Sequence, residues 1–171
     1  MKKIFVSILI LSCAVFLLTS CDDVQPEKVD KEATQQEESQ TKTETYEIGD
    51  SIKAGNLIFT VNSTRTDEGS DFIKPKDGHI YHIVDVTVEN AGDKSESVSS
   101  FIMFKLFDSD GYNYNITIGP ETKGSVDGEI SAGRKLRGEL AFEVPEDAKG
   151  LELVIEPSLF SSGQIIIELD R

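Results

Sequence analysis

From residue 57 onward, apolar and polar positions alternate with a period of two. Leu57, Phe59 and Val61 alternate with Ile58 and Thr60, and Ile80, Val84, Val86 and Val88 with Tyr81, Ile83, Asp85, Thr87 and Glu89. The pattern returns at Ile102, Phe104 and Leu106 against Met103, Lys105 and Phe107. It returns again at Leu136, Leu140, Phe142 and Val144, at Leu151, Leu153 and Ile155, and at Ile165, Ile167 and Leu169. Successive side chains of a strand point to opposite faces, so each stretch predicts a strand with one face on a core. No stretch carries a sustained helical stripe.

Turn chemistry separates these strands. Asp108-Ser109-Asp110-Gly111 lies between two aromatic-rich stretches and predicts a tight hairpin. Ser131-Ala132-Gly133 precedes the Lys135 strand, and Pro145 to Gly150 joins two more. Alternation, rather than continuous apolar runs, favours antiparallel pairing. The expected fold is all-β: an antiparallel sandwich of about seven to eight strands over residues 46–171. A chain of that size can bury roughly two thirds of its unfolded surface.

The first forty-five residues follow another pattern. Lys2 and Lys3 precede an apolar run from Ile4 to Leu18, too short to span a bilayer comfortably. A charged start, a short apolar run and small residues at its end predict a secretory signal over residues 1–20. The run ends in Leu18-Thr19-Ser20-Cys21, which resembles the bacterial lipobox. That resemblance implies cleavage before Cys21 and a diacylglyceryl thioether on its sulfur. Cys13 would leave too short an apolar run before it. Burial contributes about 0.8 kcal/mol per CH₂, so two acyl chains hold a protein on a membrane where one is marginal. The expected location is therefore the extracytoplasmic face of the cell membrane. Both cysteines lie within the first 21 residues, so the mature domain has no disulfide and depends on packing.

Asp22 to Thr45 contains no aromatic residue, no Leu and no Ile. It cannot bury enough apolar surface to offset its ordering entropy and predicts a disordered acidic tether, with Cys21 completing the segment 21–45. As a flexible coil it would span about 27 Å.

The formal net charge is −14. Loss of Lys2 and Lys3 leaves 15 basic against 31 acidic residues, a net −16. Such acidity excludes nucleic acid as an expected partner, since phosphate binding needs Lys and Arg surfaces. It also opposes attraction to anionic lipids.

Candidate chemistry is sparse. His79 and His82 are three apart on a strand and face opposite ways, so they cannot chelate one metal together. Asp108-Ser109-Asp110-Gly111 opens like a calcium loop, but the fifth and twelfth positions hold Tyr112 and Gly119 where oxygen ligands belong. A second acidic group, Asp67, Glu68, Asp71 and Asp77, would need Glu121, Asp127 or Glu129 to complete a cation site. No metal or cofactor is assigned. There is no Gly-x-Ser-x-Gly elbow and no catalytic cysteine, and no carboxylate pair is singled out, so an enzyme is not expected.

The remaining surface of interest is aromatic. Phe101, Met103 and Phe107 share the outward parity of their strand, and Tyr112 and Tyr114 lie just past the hairpin turn. With Tyr81 and Ile83 they define a candidate interaction patch. The loop from Thr66 to Gly78, or a strand bulge, would bury that patch if it folded over it.

Several stretches, in order, resemble a known family. They are Tyr46-Glu47-Ile48-Gly49-Asp50, Leu57 to Val61, Gly78 to Asn90, Phe104 to Tyr112, and Ala132 through Pro145. They are similar to the telokin-like, immunoglobulin-fold domain of unknown function found in lipoproteins of Gram-positive bacteria. The same fold occurs in small secreted antigens of actinobacteria. The resemblance implies an immunoglobulin-like sandwich and transfers no catalytic residue. It implies a non-enzymatic binding or protein-interaction module at the cell envelope, with an envelope protein as partner. The alternative is a small-ligand or divalent-cation-binding lipoprotein, with a hydrolase a distant third.

Overall fold

A computed structural model describes residues 45–157 and 163–169. The signal segment, Cys21 and the tether up to residue 44 lie outside them. In chain order the strands are β1 (Thr45–Glu47), β2 (Ser51–Ala54), β3 (Leu57–Asp67), β4 (His79–Asn90) and β5 (Glu96–Val98). A helical turn, α1 (Ser100–Met103), leads into β6 (Phe104–Phe107) and β7 (Asn113–Tyr114). Then come β8 (Gly128–Ile130), β9 (Lys135–Pro145), β10 (Glu152–Ile155) and β11 (Ile165–Glu168).

The expected sandwich forms. One sheet runs β1-β11-β10-β6-β7, the facing sheet runs β2-β3-β4-β9, and β5 and β8 make a separate two-stranded ribbon. The long alternating stretches are the long strands; short β1, β5, β7 and β8 raise the number among the described residues to eleven. Pairing is antiparallel except where β1 runs parallel to β11. Phe59 and Phe104 meet edge to face across the sandwich, ring centroids 6.1 Å apart. Such a pair adds roughly 0.5–1.5 kcal/mol beyond its area burial. Val84, Val86, Leu106, Phe142, Leu153 and Ile167 complete the same buried core.

Two local features reverse the expected facing of side chains. The first is a bulge in β3, where the register with β4 shifts between Val61 and Ser63. Two residues then oppose one, and strand parity flips. Leu57, Phe59 and Val61 face the core before the bulge, whereas Arg65 and Asp67 afterwards pair with Ile83 and Tyr81 on the outer face. The second is α1. Met103 N–H donates to the Ser99 carbonyl, 2.9 Å, so the chain coils where alternation predicts strand. Ile102, expected inside with Phe104, is therefore exposed.

No helix among the described residues is long and apolar enough to cross a membrane.

Candidate functional site

The outer face of the four-stranded sheet has an apolar half and a polar half. Tyr81, Ile83 and Ala141 form a second small buried cluster there. They are buried because the chain between β7 and β8 folds over this face. Thr117 N–H donates to the Ala141 carbonyl, 2.8 Å, and Glu139 N–H to the Lys123 carbonyl, 2.9 Å. Between these two ties the segment leaves the sheet edge as a strap. At its crest Gly119 lies so close to Ile73 that an added Cβ would stand 2.9 Å from the Ile73 methyl and 3.5 Å from the Tyr81 hydroxyl.

Beside the cluster lies the polar half. Arg137 forks onto Asp85, Nε to Oδ1 at 2.9 Å and Nη2 to Oδ2 at 2.6 Å. Asn62 at the bulge donates to the same Asp85 Oδ1, 3.0 Å. Arg65 reaches three groups: Asp67 and Glu139, each at 2.9 Å, and the Glu121 carbonyl on the strap at 3.0 Å. The guanidinium of Arg65 holds the Glu139 carboxyl below its ordinary pKa, and that of Arg137 does the same to Asp85. Arg65 is thus a clamp that fastens the strap to the sheet.

Between the strap and α1 opens a cleft of ≈ 170 Å³. Leu140 and Ala141 line it from β9, with Phe101 from α1 and Ile116, Ile118 and Val126 from the strap side. Phe101 is 59% exposed and Ile118 87% exposed. Past Gly119 the strap meets Ile73, whose neighbour Phe72 is 96% exposed. Asp127 fixes α1 by accepting from Ser100 N–H, 2.6 Å, Ser100 Oγ, 2.9 Å, and Ser125 Oγ, 3.2 Å. Both walls are thereby held by polar ties.

A second cleft, ≈ 380 Å³, lies where the β6–β7 hairpin meets the β9–β10 turn, lined by Asp110, Tyr112, Tyr114, Pro145 and Asp147 among others. Here Asp108 closes the hairpin. Its carboxylate accepts from Asp110 N–H, 3.0 Å, Tyr112 N–H, 2.9 Å, and the Tyr114 hydroxyl, 2.6 Å. Those donors hold its pKa down, Tyr114 foremost. Burial first, and Asp108 second, push the Tyr114 hydroxyl up to about 12. The neutral phenol is thus the form the fold favours. Its contribution is complete below the unfolded tyrosine pKa of about 10 and is lost as pH rises through the folded value. Burial also raises the Tyr81 hydroxyl, so absorbance titration should show late-ionising tyrosines, and Tyr114→Phe should remove one of them and leave that of Tyr81. A late amplitude unchanged in Tyr114→Phe would refute the assignment.

The aromatic patch expected from parity is not one surface. Tyr81 and Ile83 are buried, 3% and 1% exposed, because the strap covers the outer face they occupy. Met103 and Tyr114 pack against the main core, and Phe107 is half-buried. Phe101 remains exposed beside the first cleft, and Tyr112 beside the second. Phe72, Ile73 and Ile118 were not among the expected residues. An apolar pair, Phe72-Ile73, inside a charged loop that makes no strand was the signal available for them.

His82 faces the core and is buried, whereas the His79 ring sits by the Asp77 carbonyl, 3.2 Å, so the two point apart as their spacing requires. Among the described residues no group of three or more His, Cys, Asp or Glu is arranged to hold a metal ion. Of the acidic residues weighed as cation ligands, Asp67 accepts from Gly69 N–H and Arg65, and Asp127 from Ser100 and Ser125. Cys21 lies outside the described residues.

Fold and site together define a small β-sandwich domain with a cleft of mixed polar and apolar lining beside one sheet. The chain belongs to the family described as Domain of unknown function (DUF4352), whose model matches residues 46–165. It is similar to the uncharacterized lipoprotein YjhA of Bacillus subtilis, 30% identical over 128 residues. That match covers 67% of this chain and 60% of the relative, so the chain spans less than two thirds of the relative's length. The crystal structure of the yjhA protein superposes with a TM-score of 0.59 at 29% identity, covering 73% of this chain and 99% of that one. Two more distant structures share the fold. An uncharacterized β-sandwich protein of Clostridium difficile has a TM-score of 0.53 at 14% identity, covering 81% of this chain and 100% of its own. A secreted protein of Mycobacterium tuberculosis, MPT63, has a TM-score of 0.56 at 15% identity, covering 75% of this chain and 98% of its own.

Proposed function

We propose that this chain is a lipid-anchored lipoprotein of a Gram-positive envelope whose telokin-like, immunoglobulin-type sandwich is a non-enzymatic protein-interaction module. In this reading residues 1–20 are the signal, Cys21 carries the diacylglyceryl group, and the acidic segment to Thr45 tethers the domain. The lipobox-like Leu18-Thr19-Ser20-Cys21 supports the anchor, and so does similarity to a protein named as a lipoprotein. One observation carries the interaction role: Phe101 and Ile118 stand exposed at a cleft whose walls are tied by Arg65 and Asp127. Exposed apolar clusters with polar surroundings mark interaction sites on soluble domains, and preorganised walls spare a partner the ordering cost.

Two measurements on intact cells test this. Cys21→Ser should move the protein from the membrane fraction to the medium. A photo-crosslinking residue at position 118 or 101 should give discrete adducts that the same residue at exposed Lys53 does not. Retention of Cys21→Ser on the membrane would remove the anchor. Adducts indifferent to position would remove the surface.

A further inference from the structure

The strap is held unlike the rest of the domain. It joins the edge of β9 at two bridges, Ile116 with Phe142 and Gly124 with Gly138. Ile116 packs against the main core, and Val126, just past the second bridge, is fully buried. Between the bridges, from Thr117 to Lys123, no residue is buried. Polar contacts hold that stretch down. Thr117 N–H donates to the Ala141 carbonyl, and Glu139 N–H to the Lys123 carbonyl. Glu139 Oε2 accepts from Lys123 N–H, 3.1 Å, and from Arg65 Nη2, 2.9 Å. Arg65 Nη2 also donates to the Glu121 carbonyl, 3.0 Å. One ion pair thus grips the strap at Glu121 and at Lys123. Arg65 is 40% exposed, and a solvated pair of this kind is a weak, reversible tie. Beneath the strap lie Tyr81, Ile83 and Ala141, a cluster separate from the main core.

Segments with few buried apolar contacts open at lower free energy than the core they lie on. We infer that Thr117–Lys123 is a flap, pivoted at the Ile116 and Gly124 bridges and latched by the Arg65–Glu139 pair, which opens while the two-sheet core stays closed and uncovers Tyr81, Ile83 and Ala141. The cluster and the core lie on opposite faces of the same sheet, so the core residues Phe59, Val84 and Phe142 need not move when the flap does. An open flap gives the domain an apolar patch on the outer face of β4 and β9 that the closed form hides.

The test uses the chain from residue 21 carrying Cys21→Ser, which has no other cysteine. Ala141→Cys then places a single thiol under the flap, and Val88→Cys a single thiol in the main core. With a disulfide reagent in excess, Ala141→Cys should react about a hundredfold or more faster than Val88→Cys. Adding Arg65→Ala should speed Ala141→Cys roughly five- to tenfold and leave Val88→Cys within about twofold. Adding Arg137→Ala, whose side chain grips Asp85 rather than the strap, should leave both unchanged. Amide exchange in the cysteine-free chain keeps the test independent of the introduced thiols: Thr117 N–H should exchange well ahead of the β3–β4 ladder, and faster again with Arg65→Ala. If the thiol at 141 and the Thr117 amide respond only as fast as the core, the strap opens only by global unfolding and the flap is overturned. If Arg65→Ala and Arg137→Ala speed opening alike, the latch is overturned.

Discussion

Asn90→Ala should lower the stability of the domain by about 3–5 kcal/mol, more than the change in side-chain size would suggest. Asn90 is the last residue of β4 and is fully buried. Its amide nitrogen donates to the Lys94 carbonyl, 2.7 Å, and to the Ile130 carbonyl, 2.8 Å. Its amide oxygen accepts from Gly92 N–H, 2.9 Å. One side chain thus closes the turn after β4 and ties it to β8. Alanine would leave three backbone groups without that partner, at roughly 1–3 kcal/mol for each one that water cannot reach. Against a total of about 0.05–0.15 kcal/mol per residue, the loss is a large share of the folded state's margin. Thermal unfolding should shift down by roughly 10–20 °C. Asn90→Asp separates hydrogen bonding from volume. It keeps the acceptor for Gly92 but turns a carboxylate oxygen toward two carbonyl oxygens. At neutral pH it should be no more stable than Asn90→Ala, and it should recover part of the loss in acid, where a protonated carboxyl can donate once. If both variants melt within 2 or 3 °C of the parent, a spread that corresponds to less than about 1 kcal/mol, the buried amide is not the tie it is taken to be.

Asn90 also shows what was legible in the chain and what was not. The alternation around Leu57, Val84, Phe104 and Phe142 is a direct imprint of the pleat, so the long strands and the sandwich could be read from it. Parity names two faces of a strand, but it does not say which face is covered. Tyr81 and Ile83 sit on the outward face and were expected at the surface. They are buried because the strap covers them, and a strap has no period to detect. The bulge at Asn62 is invisible for a related reason: one extra residue changes the facing of everything after it and leaves composition unchanged. Of the aromatic patch, Phe101 survives because α1 leaves it outside the core. The exposed Phe72 and Ile73 were partly legible, since they are an apolar pair with no strand to belong to. The approach of Ile73 to Gly119 depends on a contact between two loops far apart in sequence, and no local pattern reports that.

The strap leads to the second large effect. Gly138→Ala should destabilise the domain by about 1–3 kcal/mol and should open the first cleft before the rest of the domain unfolds. Gly138 is buried and pairs with Val86 on the inner face of β9. An added Cβ would stand 2.6 Å from Ser125 Cα and 2.7 Å from Ser125 N and C. All three are backbone atoms, so no rotamer change relieves the clash, and either the strap or β9 must move. The facing residue, Gly124, is as tightly placed: it has φ +68°, and a Cβ there would meet the Arg137 carbonyl at 2.5 Å. Two glycines therefore let the strap lie flush against the strand. Pushing it away would pull Val126 from the core, loosen Asp127 from α1, and uncover Tyr81 and Ile83. Amide exchange should report this directly, with Thr117 and Glu139 N–H, which tie the strap to β9, speeding up far more than the β3–β4 ladder. Gly133→Ala is the comparison. It sits in a turn at φ +68° with nothing within 4 Å, so it should carry only the left-handed backbone cost of about 1–2 kcal/mol. Binding of any partner at the cleft should fall with Gly138→Ala and stay unchanged with Gly133→Ala. Equal effects of the two substitutions on exchange at Thr117 would show that the strap is not held by the glycine pair. The cleft would then owe its shape to Arg65 and Asp127 alone.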